Sequence, residues 1–319
     1  MSDSLPVVLL TNPILPSEMA RLCARANVVT APDAQPDTLR SLVRQADYLI
    51  VRAKLPDDIF DHAERLKGVV RHGVGLDMIP MDQAVARKIP VANMPGSNTA
   101  SVVEYCLNAM LTLLRPLHRL TIGHDGVDWA SKRPIADGVS ELNGLTLGIV
   151  GVGAIGGALA RVADALGMKV LGLNRNPASL PEWVQFADKQ TLFSNADMVV
   201  LSCPLTPETR GLVDAATLAR MKPSASIVNV SRGPVIDTPA LLDALRNGTL
   251  RAAVLDVHDV QPVPPDLYRA GAGSLVLTPH VAGITASSMA RMSKGSVDEV
   301  LRAIDGHRFL NLVNPEIYH

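Results

Sequence analysis

The stretch LGIVGVGAIG, residues 147–156, decides the fold of this 319-residue chain. It places Gly151, Gly153 and Gly156 in GxGxxG spacing, directly after an aliphatic run and directly before the helical pattern GALARVADALG. In such a unit the first glycine permits a tight turn, the second lets the backbone approach a pyrophosphate, and the third lets the helix pack on the strand. The amides at the helix N-terminus then face the phosphates. The stretch therefore predicts a dinucleotide-binding unit of strand, turn and helix.

Aliphatic runs alternate with helix-length segments on both sides of this stretch. Before it come PVVLLTN, ADYLIVR, LKGVVRHG and IPVAN, and after it come MKVLGLNR, ADMVVLSCP, ASIVNVSRG, AAVLDVHD and SLVLTPH. Continuous aliphatic strands are typical of parallel sheets covered by helices on both faces. The sequence thus predicts an α/β protein with two parallel-sheet domains, a Rossmann cofactor domain inserted in a flavodoxin-like substrate domain.

Two helical segments set the expected domain boundaries. NTASVVEYCLNAMLTLLRPLHRL, which starts at Asn98, reads as one long apolar helix that connects the two series of strands. The helical segment after His280 leaves too little chain for a third domain, so it is expected to pack on the first one. We therefore predict a substrate domain of residues 1–98 and 286–319 and a dinucleotide-binding domain of residues 99–285.

Composition and charge point to a globular protein that acts on a small molecule. Hydrophobic residues make up 47% of the chain, aromatic residues only 3%, and the formal net charge is −1. A balanced charge gives no general attraction to nucleic acid or anionic lipid, so neither is expected as a partner. The N-terminus has neither the basic region nor the apolar length of a signal peptide or membrane span.

The cysteines indicate a reducing compartment. Cys23, Cys106 and Cys203 lie far apart with no CxxC spacing, which favours free thiols in the cytoplasm and offers no readable metal site. For Cys203, the adjacent Pro204 and the lack of a readable base nearby favour packing over a nucleophilic role.

The end of the strand after the glycine motif bears on the choice of cofactor. An acidic residue about 20 positions on usually binds the ribose 2′-hydroxyl of NAD. This chain has Asn174 there, followed by Arg175. An asparagine does not repel a 2′-phosphate and the arginine could pair with it, so NADP(H) is favoured over NAD(H). The alternative is that Arg175 is solvated while NAD binds beside Asn174.

Three further motifs stand where later strands end, which is where open α/β sheets bind ligands. They are VNVSRGPVID with Arg232, VLDVHDVQP with Asp256 and Gln261, and LTPHVAG with His280. At this point the sequence resembles the D-2-hydroxyacid dehydrogenase family, which includes phosphoglycerate dehydrogenases and glyoxylate or hydroxypyruvate reductases. The resemblance covers nearly the whole chain through RHGVGLD, NMPGSNTASVVEY, GVGAIG, CPLTPETRGLV, NVSRGPVID, LDV and TPHVAG.

The resemblance implies roles for these residues. Arg232 would bind the substrate carboxylate and polarise the carbonyl that receives hydride, a task that suits a planar bidentate cation. His280 would protonate the nascent alkoxide, or act as the base in oxidation. Asp256 would bind the nicotinamide carboxamide. The expected substrate-binding residues are Arg52, Gly73, Val74, Gly75 and Asn98, the three of 73–75 through backbone amides. The expected cofactor-binding residues are Gly151, Gly153, Ala154, Ile155, Gly156, Asn174, Arg175, Cys203, Pro204, Thr209, Val230, Ser231, Asp256 and Gly283.

One of these expectations has an alternative. Arg52 stands where phosphoglycerate-type relatives carry a phosphate-binding arginine, and a surface ion pair would explain it equally well. The helical segment 101–120 and the segment before GVGAIG resemble the dimerisation region of the family, which implies a homodimer.

The chain departs from the family at Gln261, where most members have a glutamate paired with the histidine. A carboxylate favours the imidazolium, whereas a neutral amide orients the ring without adding charge. Asp259 would substitute only in a remodelled loop; it and His258 read as loop residues. A glutamine and histidine pair is also the pattern of formate dehydrogenases, so formate-like hydride abstraction is one alternative to 2-oxoacid reduction. A non-catalytic NAD(P)-binding sensor of the same fold is the other.

Overall fold

A computed structural model describes residues 5–122, 129–270 and 273–318 of the chain. The chain divides into two compact units, one made of Met1–Asn98 and Ile284–His319 and the other of Thr99–Gly283. We call them unit 1 and unit 2. Each contains its own sheet.

Unit 1 has a five-stranded parallel sheet. Its strands are β1 (Val7–Leu10), β2 (Asn27–Thr30), β3 (Tyr48–Val51), β4 (Gly68–Arg71) and β5 (Val91–Ala92), in the order β2-β1-β3-β4-β5. That is the flavodoxin-like order, as the sequence predicts. The helices between the strands are α1 (Pro16–Cys23), α2 (Pro36–Val43) and α3 (Met81–Ala86). All four residues of β3 are buried, which explains its uninterrupted aliphatic sequence.

Unit 2 has a seven-stranded parallel sheet. Its strands are β6 (Thr146–Val150), β7 (Lys169–Leu173), β8 (Gln185–Phe186), β9 (Met198–Leu201), β10 (Ser226–Asn229), β11 (Ala252–Leu255) and β12 (Leu275–Leu277). Their order is β12-β11-β10-β9-β6-β7-β8. Counted from β6, this is the Rossmann order 3-2-1-4-5-6 with β12 added at one edge.

The helices of unit 2 come before its first strand or between its strands. They are α4 (Thr99–Leu114), α5 (Leu117–Leu120), α6 (Trp129–Lys132), α7 (Ala154–Ala165), α8 (Lys189–Asn195), α9 (Ala215–Leu218), α10 (Thr238–Arg246) and α11 (Pro265–Ala270). The expectation of one long helix from Asn98 to residue 120 is wrong, because the helix stops at Leu114 and a short one begins after Pro116. Proline has no amide hydrogen for the preceding turn, so it interrupts the helix.

The chain returns to unit 1 through α12 (Ala286–Ile304). This helix begins with a capping box in which Thr285 and Ser288 bond each other's backbone amides. Its buried residues Met292, Val297 and Val300 join the same apolar cluster as Val8 of β1. The first unit is therefore built from both ends of the chain.

No helix among the described residues combines the length and apolar character needed to cross a membrane. Within residues 5–122, 129–270 and 273–318, no three His, Cys, Asp or Glu side chains are grouped to hold a metal ion.

Candidate active site

The glycine turn of unit 2 lies between β6 and β9, where the strand order reverses and open α/β sheets bind ligands. Gly151 directly follows β6 and has a φ of +89°. A Cβ at Gly151 would lie 2.6 Å from the Cα of Cys203, which follows β9. A Cβ at Gly156 would lie 2.3 Å from the carbonyl oxygen of Gly151. Only glycine fits at either position, as the motif predicts.

The helix that follows this turn starts without a side-chain cap. Helices α8, α9 and α10 each begin after an aspartate, Asp188, Asp214 or Asp237, whose carboxylate accepts a first-turn amide. Helix α7 begins instead after Gly153, which has no side chain to offer. A Cβ at Gly153 would meet no atom within 4 Å.

The uncapped start of α7 and the open space at Gly153 fit a dinucleotide. The amides of Ala154, Ile155 and Gly156 lie in the first helical turn, where no intrahelical acceptor exists. A bound pyrophosphate would satisfy them and would use the space beside Gly153. The residues of this turn therefore fit the phosphates of NAD(P), and they would hold it from the N-terminus of α7.

Asn174 directly follows β7. Its side-chain amide donates a 2.8 Å hydrogen bond to the hydroxyl of Ser179, in a short helical turn (Pro177–Ser179). Arg175 is exposed. The Thr206 side chain, aided by the charge of Arg175, lowers the pKa of the exposed Glu208 carboxyl. The end of β7 thus carries an amide and a cation where NAD-specific sites carry a carboxylate.

The loop after β9 is closed by its own hydrogen bonds. The hydroxyl of Thr209 donates to the carbonyl of Pro204 at 2.7 Å and accepts from the amide of Thr206 at 2.7 Å. Cys203 is buried against the glycine turn, and burial raises the pKa of its thiol. The loop geometry thus gives Thr209 a structural role, and Cys203 is a packing residue.

Arg232 is held by a polar turn at the end of β10. The side chain of the buried Asn229 accepts from the amide and hydroxyl of Ser231, at 3.0 and 2.7 Å. It also donates to the carbonyl of Arg232 at 3.0 Å. One guanidinium nitrogen of Arg232 donates to the carbonyl of Ser231 at 2.6 Å. Val230, between Asn229 and Ser231, donates its amide to Leu201 of the neighbouring strand β9.

Asp256 organises the turn that carries His280. Its carboxylate, 1% exposed, accepts from the Thr278 hydroxyl at 2.6 Å and from the amides of Val281 and Ala282 at 2.8 Å each. His280 adopts a left-handed φ of +57°, which is uncommon outside glycine. Gly283, the last residue of unit 2, closely follows this turn. Three of the roughly four acceptor positions of the Asp256 carboxylate are thus used within the protein.

Tyr105 contacts this turn from α4, and the sequence does not show this contact. The hydroxyl of Tyr105, on α4, lies 2.6 Å from that of Thr278. Burial raises the pKa of Tyr105 to about 12 and that of the neighbouring Cys106 to about 12. Tyr105 therefore stays protonated at neutral pH and adds a second support to the His280 turn. Only the tertiary fold brings residues this far apart in sequence together.

Gln261 is exposed. Asp259 is engaged elsewhere, because its carboxylate accepts from the hydroxyl of Thr238 at 2.8 Å. Asp259 therefore does not stand in for the family glutamate. The expected partnership of Gln261 and His280 stays a prediction.

Unit 1 carries the remaining candidate residues. Arg52 follows β3, next to the point where the strand order of its sheet reverses between β1 and β3. The buried hydroxyl of Thr11 accepts from the amide of Arg52 at 2.8 Å. The guanidinium donates to the carbonyl of Pro13 and approaches the sulfur of Met289 at 3.9 Å. Burial lowers the pKa of Arg52, and no described carboxylate pairs with it. The surface ion pair considered for Arg52 is therefore absent from the described contacts.

The side chain of Arg71 stabilises the loop 72–75. Its guanidinium donates to the carbonyls of Val51, His72 and Gly75 at 2.8 to 3.1 Å. Gly73 has a φ of +148°, and its own amide donates to the carbonyl of Arg71 at 2.8 Å. The amide of Gly73 is therefore already bonded within the protein, which leaves two of the three predicted amide donors. Val74 and Gly75 donate to no described residue.

Asn98 ends the first segment of unit 1. Its side-chain oxygen is buried and has no hydrogen-bond partner among the described residues. A buried amide oxygen without a donor is unusual in a folded protein, and a bound ligand can supply the missing donor. This observation is compatible with the predicted role in substrate binding.

His72 adds a buried titratable group beside this loop. Its ring nitrogen Nε2 lies 3.0 Å from the Ser293 hydroxyl, which also accepts from the amide of Leu15. Burial, aided by the charge of Arg52, lowers the pKa of His72 to about 4.

This shift predicts a pH-dependent stability. The unfolded chain takes up a proton at His72 near pH 6.5, whereas the folded protein resists until about pH 4. The contribution to stability is complete above pH 6.5 and is lost as the pH falls through this window, by about 3 kcal/mol in total. Urea unfolding at pH 7 and pH 4.5 measures it. The variant His72→Gln should lose less stability on acidification, while the exposed control His307→Gln should follow the parent; equal losses in all three would contradict the prediction.

Comparison with known proteins identifies the family of this chain. The family model for the NAD binding domain of D-isomer specific 2-hydroxyacid dehydrogenases matches residues 107–282, which lie within unit 2. Hydroxypyruvate reductase from Thermotoga maritima is 33% identical over 280 residues, covering 86% of this chain and 90% of that protein. D-3-phosphoglycerate dehydrogenase from Mycobacterium tuberculosis is 35% identical over 318 residues; the match covers 98% of this chain but only 59% of that longer protein.

A solved structure extends the likeness to the whole chain. The NADPH-dependent glyoxylate/hydroxypyruvate reductase from Sinorhizobium meliloti, in complex with NADP and malonate, superposes with a TM-score of 0.85 at 28% identity. The match covers 98% of each chain. The chain therefore belongs to the D-isomer specific 2-hydroxyacid dehydrogenases, and it is an NAD(P)-dependent oxidoreductase of that family.

Proposed function

We propose that this chain reduces a small 2-oxoacid, such as glyoxylate or hydroxypyruvate, to the D-2-hydroxyacid. One observation carries the proposal. The three neighbouring strands β10, β11 and β12 present Arg232, Asp256 and His280 at the same edge of one sheet, and Asp256 pins the turn that bears His280. A guanidinium and an imidazole at the ends of β10 and β12, on either side of β11, are the groups that carbonyl reduction requires.

Each residue has a role in the proposed reaction. The nicotinamide ring supplies a hydride when the cofactor is bound. Arg232 binds the carboxylate and polarises the 2-oxo group, whose carbon accepts the hydride while His280 gives its proton to the oxygen. In unit 1, the backbone amides of Val74 and Gly75 have no acceptor among the described residues and are available to a carboxylate. Gln261 orients His280 without adding a negative charge, so the protonated ring is favoured less than beside a glutamate.

Arg52 favours a second substrate class, 2-oxoacids with a further anionic group on C3. The side chain is half-buried, and among the described residues no carboxylate neutralises it. An arginine in that state is suited to bind a phosphate. One of the relatives is a phosphoglycerate dehydrogenase, which supports this class.

A substrate and cofactor panel tests the proposal. Purified protein would be assayed with NADH and NADPH against glyoxylate, hydroxypyruvate and 3-phosphohydroxypyruvate, and with formate in the oxidative direction. We expect oxoacid reduction, with a higher kcat/KM for NADPH because Arg175 and Asn174 stand where a carboxylate would repel the 2′-phosphate. Turnover of formate alone would favour formate-like hydride abstraction. Tight cofactor binding without any turnover would favour a sensor.

The same panel tests Arg52. In the variant Arg52→Gln, KM for 3-phosphohydroxypyruvate should rise about 10- to 100-fold, because one charge-assisted interaction is lost. KM for glyoxylate, which has no C3 group, should change less than about threefold. The matched control is Arg25→Gln, an exposed arginine paired with Asp305. Equal effects on both substrates, or no use of the phosphorylated one, would remove the second class.

We also propose a homodimer located in the cytoplasm. Large apolar side chains are exposed between α4 and β6, with Leu117 70%, Trp129 69% and Ile122 48% exposed. Exposed apolar groups of this size favour a protein interface. All three cysteines are free, which favours a reducing compartment. Light scattering after size-exclusion chromatography measures the mass in solution, and a monomeric mass at micromolar concentration would contradict the dimer.

A further inference from the structure

His258 lies directly between the two parts of the catalytic apparatus in unit 2. It follows β11 by three residues and is 9% exposed. Its ring nitrogen Nε2 lies 2.9 Å from the carbonyl oxygen of Thr278. A carbonyl only accepts hydrogen bonds, so Nε2 carries the hydrogen and donates it. The other ring nitrogen, Nδ1, is buried without a partner in the described part of the chain.

The Thr278 carbonyl also holds His280. The backbone amide of His280 donates to that same oxygen at 3.0 Å, within the turn where His280 has its left-handed φ. Two donors, the His258 ring and the His280 amide, therefore converge on one acceptor. Since a non-glycine residue adopts this conformation only where its surroundings impose it, the acceptor's position decides where the His280 ring lies.

The backbone of His258 meets the other catalytic loop. A Cβ at Gly233 would lie 2.1 Å from the carbonyl carbon of His258 and 2.4 Å from the amide nitrogen of Asp259. Gly233 directly follows Arg232. The absence of a side chain at Gly233 thus lets the Arg232 loop lie against the His258 backbone, while the His258 ring reaches the His280 turn.

We propose that His258 is a positioning residue, which sets the placement of the His280 turn relative to the Arg232 loop through its Nε2–H donor. The inference rests on the proposed function, since it assumes that His280 gives the proton. Its ring does not touch the reacting atoms; it acts through the Thr278 carbonyl. Asp256 and Tyr105 hold the Thr278 side chain, and His258 holds the backbone of the same residue.

The variants separate the donor from the shape of the ring. His258→Phe keeps an aromatic ring and removes the donor. His258→Gln restores a donor, because the side-chain amide nitrogen of glutamine reaches about as far along the chain as Nε2 of histidine. The ring borders a cavity of about 370 Å³ lined mainly by apolar side chains, including Ile236 and Leu242, so the larger phenylalanine has room. Thermal unfolding of each variant checks that the fold is retained.

The expected result is a kcat effect without a binding effect. His258→Phe should lower kcat for oxoacid reduction about 5- to 10-fold, as the loss of one hydrogen bond in the catalytic geometry implies. The KM of the oxoacid and the Kd of the cofactor should stay within about threefold, and the primary deuterium isotope effect on kcat should not fall. His258→Gln should recover most of the lost kcat. Equal kcat in the phenylalanine and glutamine variants, or a parallel loss of cofactor binding in both, would overturn the inference.

A spectroscopic measurement distinguishes failure of the proposed oxoacid reduction from failure of the proposed positioning role of His258. In the nitrogen NMR spectrum of the imidazole side chains, His258 should show the Nε2–H form, and the His280 signals should shift in His258→Phe but return towards the parent in His258→Gln. This measurement does not need turnover. If the parent protein reduces no oxoacid while these shifts occur, the proposed function fails and the positioning contact stands; if His280 does not respond to either variant, the contact itself fails.

Discussion

Replacement of His280 by asparagine is expected to lower kcat for 2-oxoacid reduction by about 10²- to 10⁴-fold, the range typical of a lost general acid. Asparagine is the informative choice because it tolerates the left-handed φ of +57° at this position, whereas most residues would add strain. The turn pinned by Asp256 should therefore keep its shape while the proton donor disappears. Steady-state rates with NADPH and the best oxoacid of the panel measure the effect.

The control for this variant is His307→Asn. His307 is exposed and lies in unit 1, at the end of α12, so its replacement should leave kcat unchanged. The Kd of the cofactor, measured by fluorescence titration, should be similar in both variants and the parent. A His280→Asn variant with more than about a tenth of the parental kcat would show that another group supplies the proton.

Replacement of Gly151 by alanine is expected to raise the Kd for NADPH by about 100-fold or more. The new Cβ would lie 2.6 Å from the Cα of Cys203, and the φ of +89° is itself unfavourable for alanine. Because Cys203 meets it with backbone atoms, the glycine turn must shift. The amides at the start of α7 would then no longer point at the phosphates of the cofactor. Each charge-assisted hydrogen bond lost weakens binding by about 1.5 to 3 kcal/mol.

The matched control is Gly157→Ala in the same helix. A Cβ there would meet nothing within 4 Å, and alanine favours a helix over glycine by about 1 kcal/mol. This variant should bind NADPH like the parent and unfold at a slightly higher temperature. Titration calorimetry and thermal unfolding compare the two. If both variants bound NADPH equally well, the turn at Gly151 would not be the phosphate site.

Much of the fold could be predicted from local patterns in the sequence. The glycine motif, the long aliphatic strands and the flavodoxin-like order all agree with the structure, because buried parallel strands leave an unbroken aliphatic signature. Two of the four edge strands, β2 and β8, left no such signature. β2 is only partly buried on alternate residues, and β8 is two exposed residues. An edge strand packs on one side only, so its sequence is less constrained.

The sequence could predict which residues lie at the candidate site, but it could not predict their hydrogen-bond partners. Arg232, Asp256 and His280 could be assigned to strand ends because strand ends are visible in sequence. The internal use of the Asp256 carboxylate, the bonded amide of Gly73 and the contact of His258 with Thr278 could not be predicted. Each depends on a hydrogen-bond geometry that only the folded chain defines. A sequence pattern names the residues near a site more readily than it names their partners.

The divided composition of unit 1 has a consequence for synthesis. All seven strands of unit 2 leave the ribosome as one continuous segment. The five strands of unit 1 emerge earlier. Helix α12, which shares an apolar cluster with Val8, is synthesised only after unit 2. Until then the apolar surface that α12 will cover is open to other chains. We therefore expect unit 2 to complete its folding on the ribosome, and the segment 1–98 of unit 1 to be the part that needs a chaperone.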